Sequence, residues 1–101
     1  MRWPYRDKRI EWSEEKNLEL IQVRGLSFQD VALAVEDESN VLDVVPHFNQ
    51  VIYPGQMTLI VKMFGYVCVV PFVVDDEKVF LKTIYKSRKF NRLFLPDSKK
   101  I

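Results

Sequence analysis

The stretch of sequence that decides the fold runs from residue 57 to residue 85 and reads MTLIVKMFGYVCVVPFVVDDEKVFLKTIY. The side chains of residues 57–64 alternate between two faces, which predicts a half-buried strand. Residues 66–74 are apolar on both faces, which predicts a central strand. Gly65 supplies the tight turn between them, and an acidic turn precedes a last strand over residues 79–85. The stretch therefore predicts an antiparallel meander.

The meander is preceded by two shorter strand candidates. Residues 41–45 form one of them, which Pro46 ends before a polar loop that extends to Gln56. Residues 10–12 form the other, at the start of the fold.

Two helices lie between those strands. The first is predicted over residues 13–24, because Ser13 can cap its start and Gly25 can end it. We expect its inward-facing residues to be Leu18, Leu20 and Ile21. The second helix is predicted over residues 27–37, where Ser27 and Asp30 have the spacing of a capping box.

This order of elements predicts a single α+β domain over residues 1–101. Two N-terminal helices pack on one face of a mainly antiparallel sheet of four to five strands. A short basic helix over residues 87–95 closes the fold, and residues 96–101 are expected to form a loose tail.

Composition excludes several classes of protein. The longest apolar run is the size of a strand, so we expect no membrane span, and the charged N-terminus lacks the apolar region of a secretory signal. A cytoplasmic location follows. Cys68 is the only cysteine, which excludes an internal disulfide, and its valine neighbours predict an unreactive buried thiol.

The charges are divided unevenly along the chain. Residues 78–101 carry eight basic residues and one acid, whereas residues 28–77 carry eight acids and one lysine. A segregation of this kind indicates a polyanionic partner for the basic end, most commonly a nucleic acid. It also leaves room for copies of the chain to associate as a homo-oligomer.

Charged residues inside predicted strands indicate where such a partner would bind. Lys62 and Lys82 each lie within a strand, and the basic helix would continue their surface. Bases of single-stranded RNA stack on exposed aromatic rings, for which Tyr85 is the best candidate. The alternative is a solvated sheet face on which Asp43 pairs with one lysine.

A proton acceptor for RNA cleavage is harder to find. His47, the one histidine, lies in the polar loop and has the right ordinary pKa, although a loop histidine is more often a surface residue. The sequence contains neither a spaced set of metal ligands nor a glycine-rich phosphate loop. Any hydrolysis would therefore proceed without metal or cofactor.

Three segments resemble a known family. They are WSEEKN at 12–17, RGLSFQDV at 24–31 and FLKTIYKSRK at 80–89. Together they resemble BrnT-family toxins of bacterial type II toxin–antitoxin systems. The resemblance implies a compact RelE-like ribonuclease that cuts RNA, inhibits translation and is neutralised by a small DNA-binding antitoxin. It favours Lys16 and Arg88 as functional residues, with Trp12 structural or lining the site.

The leading hypothesis is thus a metal-independent endoribonuclease toxin. Its candidate catalytic residues are His47, Asp43, Lys82 and Arg88. Its candidate RNA-binding residues are Lys16, Lys62, Tyr85, Lys86, Lys89 and Arg92. The alternative is a non-catalytic interaction protein whose basic end binds nucleic acid or an acidic protein.

Overall fold

The order of helices and strands is that of an α+β protein, as the sequence predicts. The computed structural model describes residues 1–96, so the predicted tail lies almost wholly outside the described residues. The elements in chain order are β1 (Arg9–Trp12), α1 (Glu14–Arg24), α2 (Phe28–Ala34), a 3₁₀ turn (Glu38–Asn40), β2 (Val41–Pro46), β3 (Gln56–Met63), β4 (Tyr66–Val74), β5 (Lys78–Leu81), β6 (Tyr85–Lys86) and α3 (Arg88–Phe94).

The strands form one mixed sheet in the order β1-β5-β4-β3-β2, with β6 also paired to β4. Strand β1 runs parallel to β5, while the other pairs are antiparallel. The single strand predicted over residues 79–85 is wrong, because β5 and β6 are separate segments along the same edge of β4. Lys82 N–H still donates to Pro71 O at 2.9 Å, but proline has no N–H to donate in return, so the ladder is interrupted there.

Helix α1 faces the core through a narrower stripe than the sequence predicts. Leu20 is buried as expected, but Leu18 and Ile21 are 59% and 45% exposed, so their predicted inward orientation is wrong. The core position one turn before Leu20 belongs to Asn17. Its Oδ1 accepts the Phe28 N–H at 2.8 Å, and its Nδ2 donates to Gln29 Oε1 at 2.8 Å. A polar residue therefore joins α1 to α2.

Helix α2 starts as predicted and ends early. The Ser27 and Asp30 side chains form the predicted capping box. The helix ends at Ala34 rather than residue 37, because Asn40 Nδ2 donates to the Ala34 carbonyl at 3.0 Å and satisfies a helix-end acceptor. The chain then turns through the 3₁₀ segment into β2.

The main core lies between the helices and one sheet face. The N-terminal arm completes it, because Trp3 is 3% exposed and packs edge-to-face on Phe72 at 5.6 Å between ring centroids. The buried residues of this core include Leu20, Leu26, Phe28, Val31, Leu59, Val61, Val70, Phe72, Val79, Leu81 and Ile84.

Part of the opposite sheet face is also covered. Ile60, Val67 and Val69 are buried but do not belong to the main core. Helix α3 packs against β4, and Val67 N–H donates to Asn91 Oδ1 at 3.0 Å. The third helix therefore closes this face at the end of the sheet that carries the β3–β4 turn.

Gly55 shows a steric requirement that can be tested. It has φ +75°, and a Cβ built on it would lie 2.8 Å from Val74 O, whereas Gly25 has φ +66° and nothing within 4 Å. We expect Gly25→Ala to cost about 1–2 kcal/mol from the left-handed backbone alone. Gly55→Ala should cost more, because its methyl group must also displace β4. Urea denaturation of both variants measures the difference, and equal losses would contradict the close approach.

Candidate nucleic-acid interface

Basic side chains from three elements are grouped at one corner of the molecule. We define the basic surface as the residues Arg24, Tyr85, Lys86, Arg88, Lys89 and Arg92. They come from the end of α1, from β6 and from the outer side of α3, and all six are exposed. Four of the five cations follow one another within residues 86–92, whereas Arg24 is brought in by the fold.

The amphipathic sequence of α3 explains which of its residues are exposed. Ser87 caps the helix by accepting the Phe90 N–H at 3.1 Å, and Asn91 is buried against β4. Phe90 and Phe94 contact each other at 6.2 Å between centroids, one turn apart on the inner side. The three cations of α3, which are Arg88, Lys89 and Arg92, consequently remain on the outer side.

Strand β6 carries an exposed ring beside a cation. Tyr85 pairs with Val69 and is 43% exposed, and it makes no ring contact with any residue among 1–96. Lys86 pairs with Cys68, and its Nζ lies 5.7 Å from the centroid of the Tyr66 ring. The Tyr85 ring is therefore accessible for stacking, with an ammonium group on the next residue.

Cys68 lies on β4, beside this strand, and belongs to the main core. Its side chain is fully buried, and burial raises the pKa of the Cys68 thiol, an effect that the nearby charge of Lys86 opposes. A thiol that is buried and protonated is a poor nucleophile, in agreement with the sequence-based expectation.

Arg24 is the member of the basic surface that lies outside the basic C-terminal segment. Its guanidinium NH1 donates to Ile84 O at 2.5 Å, which ties the end of α1 to the segment between β5 and β6. Together with Leu26, Tyr85 and Lys86 it lines a pocket of about 310 Å³. The signal that could have found it is the basic residue before Gly25 in the segment RGLSFQDV.

The electrostatic setting of the basic surface differs from that of the other cations. Among residues 1–96, none of its five cations forms an ion pair, and α3 has no acid in its first turn. Lys16, in contrast, pairs with Glu19 at 3.8 Å near the opposite end of α1. Lys16 lies eight residues from Arg24, or about 12 Å along the helix, so it is outside the basic surface.

Lys62 lies in an acidic environment instead. It is close enough to Asp37 to add to the lowering of that carboxyl's pKa, whose main causes are hydrogen bonds from the Ser39 hydroxyl and N–H. It also lines a groove with Asp30 and Leu33 of α2. Lys62 also pairs with Val67, whose backbone bonds to Ser87 and Asn91, so it lies one strand from α3. It differs from the basic surface in its acidic neighbours and not in its distance from α3.

Two other candidate residues lie on the sheet face that α3 partly covers. Lys82 Nζ lies 5.6 Å from the centroid of the Phe80 ring, three residues before Tyr85. Asp43 is in the same cross-strand row as Tyr85, but the buried Ile60 and Val69 lie between them. Three strand spacings separate Asp43 from Tyr85 by about 14 Å. The Asp43 carboxylate accepts a hydrogen bond from the Val44 N–H at 2.8 Å.

His47 lies at the other end of the sheet. Its backbone N–H donates to Gln56 O at 2.8 Å, and Gln56 pairs with Val73 of β4. Helix α3, in contrast, is bonded to β4 at Val67. Six residues of β4 separate these two positions, which corresponds to about 20 Å. The structure therefore does not bring His47 and Arg88 into one site.

Side chains within the loop that carries His47 form hydrogen bonds to its backbone. His47 Nδ1 accepts the Asn49 N–H at 3.0 Å, and the Gln50 amide bonds to His47 O, Gln56 O and the Gly55 N–H. The loop nevertheless exposes Phe48 and Val51, at 95% and 93%. It is an apolar projection rather than a catalytic cleft.

Three further observations concern metal binding, membrane helices and known proteins. Within residues 1–96 no three His, Cys, Asp or Glu side chains are grouped so that they could hold a metal ion. No helix in the described part of the chain has the length and apolar character required to cross a membrane. In comparisons with protein-family models, characterised proteins and solved structures, none matches this chain.

Proposed function

We propose that this protein binds single-stranded RNA on the basic surface and cuts it, as a toxin of the type that the resemblance implies. The observation that carries the proposal is the group of five cations around Tyr85 with no ion-pair partner among residues 1–96. Unpaired surface cations are available to replace the counterions of a phosphate backbone. An exposed tyrosine ring adds a stacking surface for a base.

Single-stranded RNA suits this surface better than duplex DNA. The α3 helix has only seven residues, and its inner side is occupied by contacts to β4, so it does not project as a recognition helix would. Stacking on Tyr85 requires a base that is free of its duplex. The geometry thus supports recognition of an unpaired strand through its backbone and one or more bases.

Cleavage follows from the resemblance rather than from a visible set of catalytic groups. In RNA cleavage the 2′-hydroxyl attacks the neighbouring phosphorus, and cations stabilise the charge that develops on the phosphorane. Arg88, Lys86 and Arg24 lie where they could supply this stabilisation, whereas His47 is about 20 Å away along β4. We accordingly assign the cations, and not His47, to the RNA-cutting site.

The remaining parts of the proposal also follow from the resemblance. The partner would be a small DNA-binding antitoxin, and the protein would act in the cytoplasm and inhibit translation by cutting RNA. Expression of the chain alone should then arrest bacterial growth, and co-expression with the antitoxin encoded beside it should restore growth.

Binding is tested with purified protein and a labelled single-stranded RNA at several salt concentrations. We expect affinity to fall steeply as salt rises, and a duplex DNA of equal length to bind more weakly. Fluorescence anisotropy measures both. Equal affinity for the two nucleic acids, or no binding at low salt, would contradict the proposal.

A second function is favoured by the apolar loop between β2 and β3. Its two most exposed side chains, Phe48 and Val51, are held by a hydrogen-bonded backbone, which is a property of protein-binding anchors. The chain could act as a non-catalytic interaction protein through this loop. RNA that stays intact, together with growth arrest that Phe48→Ser abolishes, would favour this second function.

A further inference from the structure

We infer that the pocket between the end of α1 and β6 is a subsite for one nucleotide, with its base on Tyr85 and its phosphate between Arg24 and Lys86. This inference rests on the proposed RNA binding and gives it a specific location. The pocket has a volume of about 310 Å³ and is lined by Arg24, Leu26, Tyr85 and Lys86. Nothing else on the basic surface combines an aromatic ring, an apolar floor and two cations.

Each cation of this pocket has a contact within the protein. Arg24 donates through NH1 to Ile84 O, and a guanidinium has five N–H donors, so others remain for a phosphate. Lys86 Nζ lies 5.7 Å from the centroid of the Tyr66 ring. Two cations from different elements can together contact one compact anion through charge-assisted hydrogen bonds.

The other two lining residues provide the surface for a base. Tyr85 is 43% exposed and makes no ring contact with any of residues 1–96, which leaves a ring face available for stacking. Leu26 is 3% exposed and forms an apolar floor next to it. Because no acid lines the pocket, a phosphate is not repelled there. The chemistry therefore fits a nucleoside monophosphate better than a nucleoside or a phosphate alone.

The test is a titration of the whole protein with three probes, AMP, adenosine and inorganic phosphate, at constant ionic strength. Calorimetry or NMR shifts report the affinities. We expect AMP to bind more tightly than either of the other two. Tyr85→Ala should weaken AMP binding by about 5- to 150-fold, the range for loss of one stacked base, while Tyr85→Phe should retain it. Lys86→Gln should weaken AMP and phosphate but not adenosine.

Lys89→Gln is the matched control, because Lys89 is an exposed cation of the same surface that does not line the pocket. It should leave AMP binding unchanged while weakening a long RNA. Near-ultraviolet circular dichroism of each variant verifies that the fold is retained. AMP binding no tighter than phosphate binding, or an equal loss with Lys89→Gln, would overturn the subsite.

The subsite and the proposed function fail in different ways. If wild-type protein binds no single-stranded RNA, the proposed function is refuted. If RNA binding is lost with Arg88→Gln but unaffected by Tyr85→Ala and Lys86→Gln, the surface is correct and only the nucleotide subsite is refuted.

Discussion

Asn17→Ala should lower the free energy of unfolding by about 2–4 kcal/mol, because it leaves the buried Phe28 N–H without an acceptor and opens a small cavity. Asn17 is 1% exposed, and its amide makes both hydrogen bonds that join α1 to α2. The loss should therefore be large for the removal of one polar side chain. Urea denaturation monitored by circular dichroism gives the value.

Leu18→Ala is the matched control for this experiment. Leu18 is the next residue on the same helix and is 59% exposed. Its truncation should change stability by no more than about 0.5 kcal/mol, as is usual for surface substitutions. Equal effects at the two positions would show that the Asn17 bridge is not an important contact between the helices.

Arg88→Ala should reduce metal-independent RNA cleavage by about 100- to 1000-fold, the usual effect of removing one group that stabilises transition-state charge. His47→Ala should leave the rate nearly unchanged, because along β4 His47 is about 20 Å from Val67, where α3 and Arg88 are held. Cleavage is measured on a labelled single-stranded RNA in the presence of a chelator, with the fragments separated by electrophoresis.

The pair of variants distinguishes two arrangements of the site. Loss of cleavage in His47→Ala, with Arg88→Ala still active, would place the reaction at the β2–β3 loop. That result would contradict the assignment of the basic surface as the site of cleavage. Both variants must first be shown to melt at the wild-type temperature, which excludes unfolding as the cause of any loss.

Local patterns were sufficient to predict most of the elements. The doubly apolar β4 and the capping box of α2 each depend on neighbours in sequence, and the structure shows both. The half-buried character predicted for β3 is wrong, because Leu59, Ile60 and Val61 are buried in succession. The break between β5 and β6 depends instead on Pro71, which lies on the adjacent strand. An interruption of this kind is caused by a residue on the neighbouring strand. The sequence of the interrupted strand therefore does not reveal it.

Buried polar and distant contacts were the least predictable features. Asn17 takes a core position that a hydrophobic pattern assigns to leucine and isoleucine, because two hydrogen bonds offset its desolvation. Trp3 is buried although it lies in the N-terminal arm, whose sequence has no helical or strand periodicity. Both cases require knowledge of which segments meet in three dimensions.

The candidate site was predictable in part. The run from Tyr85 to Arg92 is continuous in sequence, and its basic and aromatic character is visible there. The addition of Arg24 and the separation of His47 from this run depend on the strand order and on the packing of α1. The charge distribution along the sequence was sufficient to predict the basic surface. Which residues belong to that surface depends on the order of the strands in the sheet.

The central claim is that RNA binds at the basic surface, and two variants of equal charge test it most directly. One carries Lys86→Gln, Arg88→Gln and Arg92→Gln. The other carries Lys8→Gln, Arg9→Gln and Lys78→Gln, at the end of the sheet near the β4–β5 turn, where the ion pairs removed are exposed and weak. The affinity for single-stranded RNA is measured for both as a function of salt.

We predict that the first variant binds RNA about 100-fold more weakly at low salt, at about 1 kcal/mol for each lost contact. The slope of log affinity against log salt should fall in magnitude by about 2, since each phosphate contact to a single strand contributes about 0.7. The second variant should behave as wild type. Equal losses of affinity in the two variants would contradict the account, because binding would then depend on net charge alone.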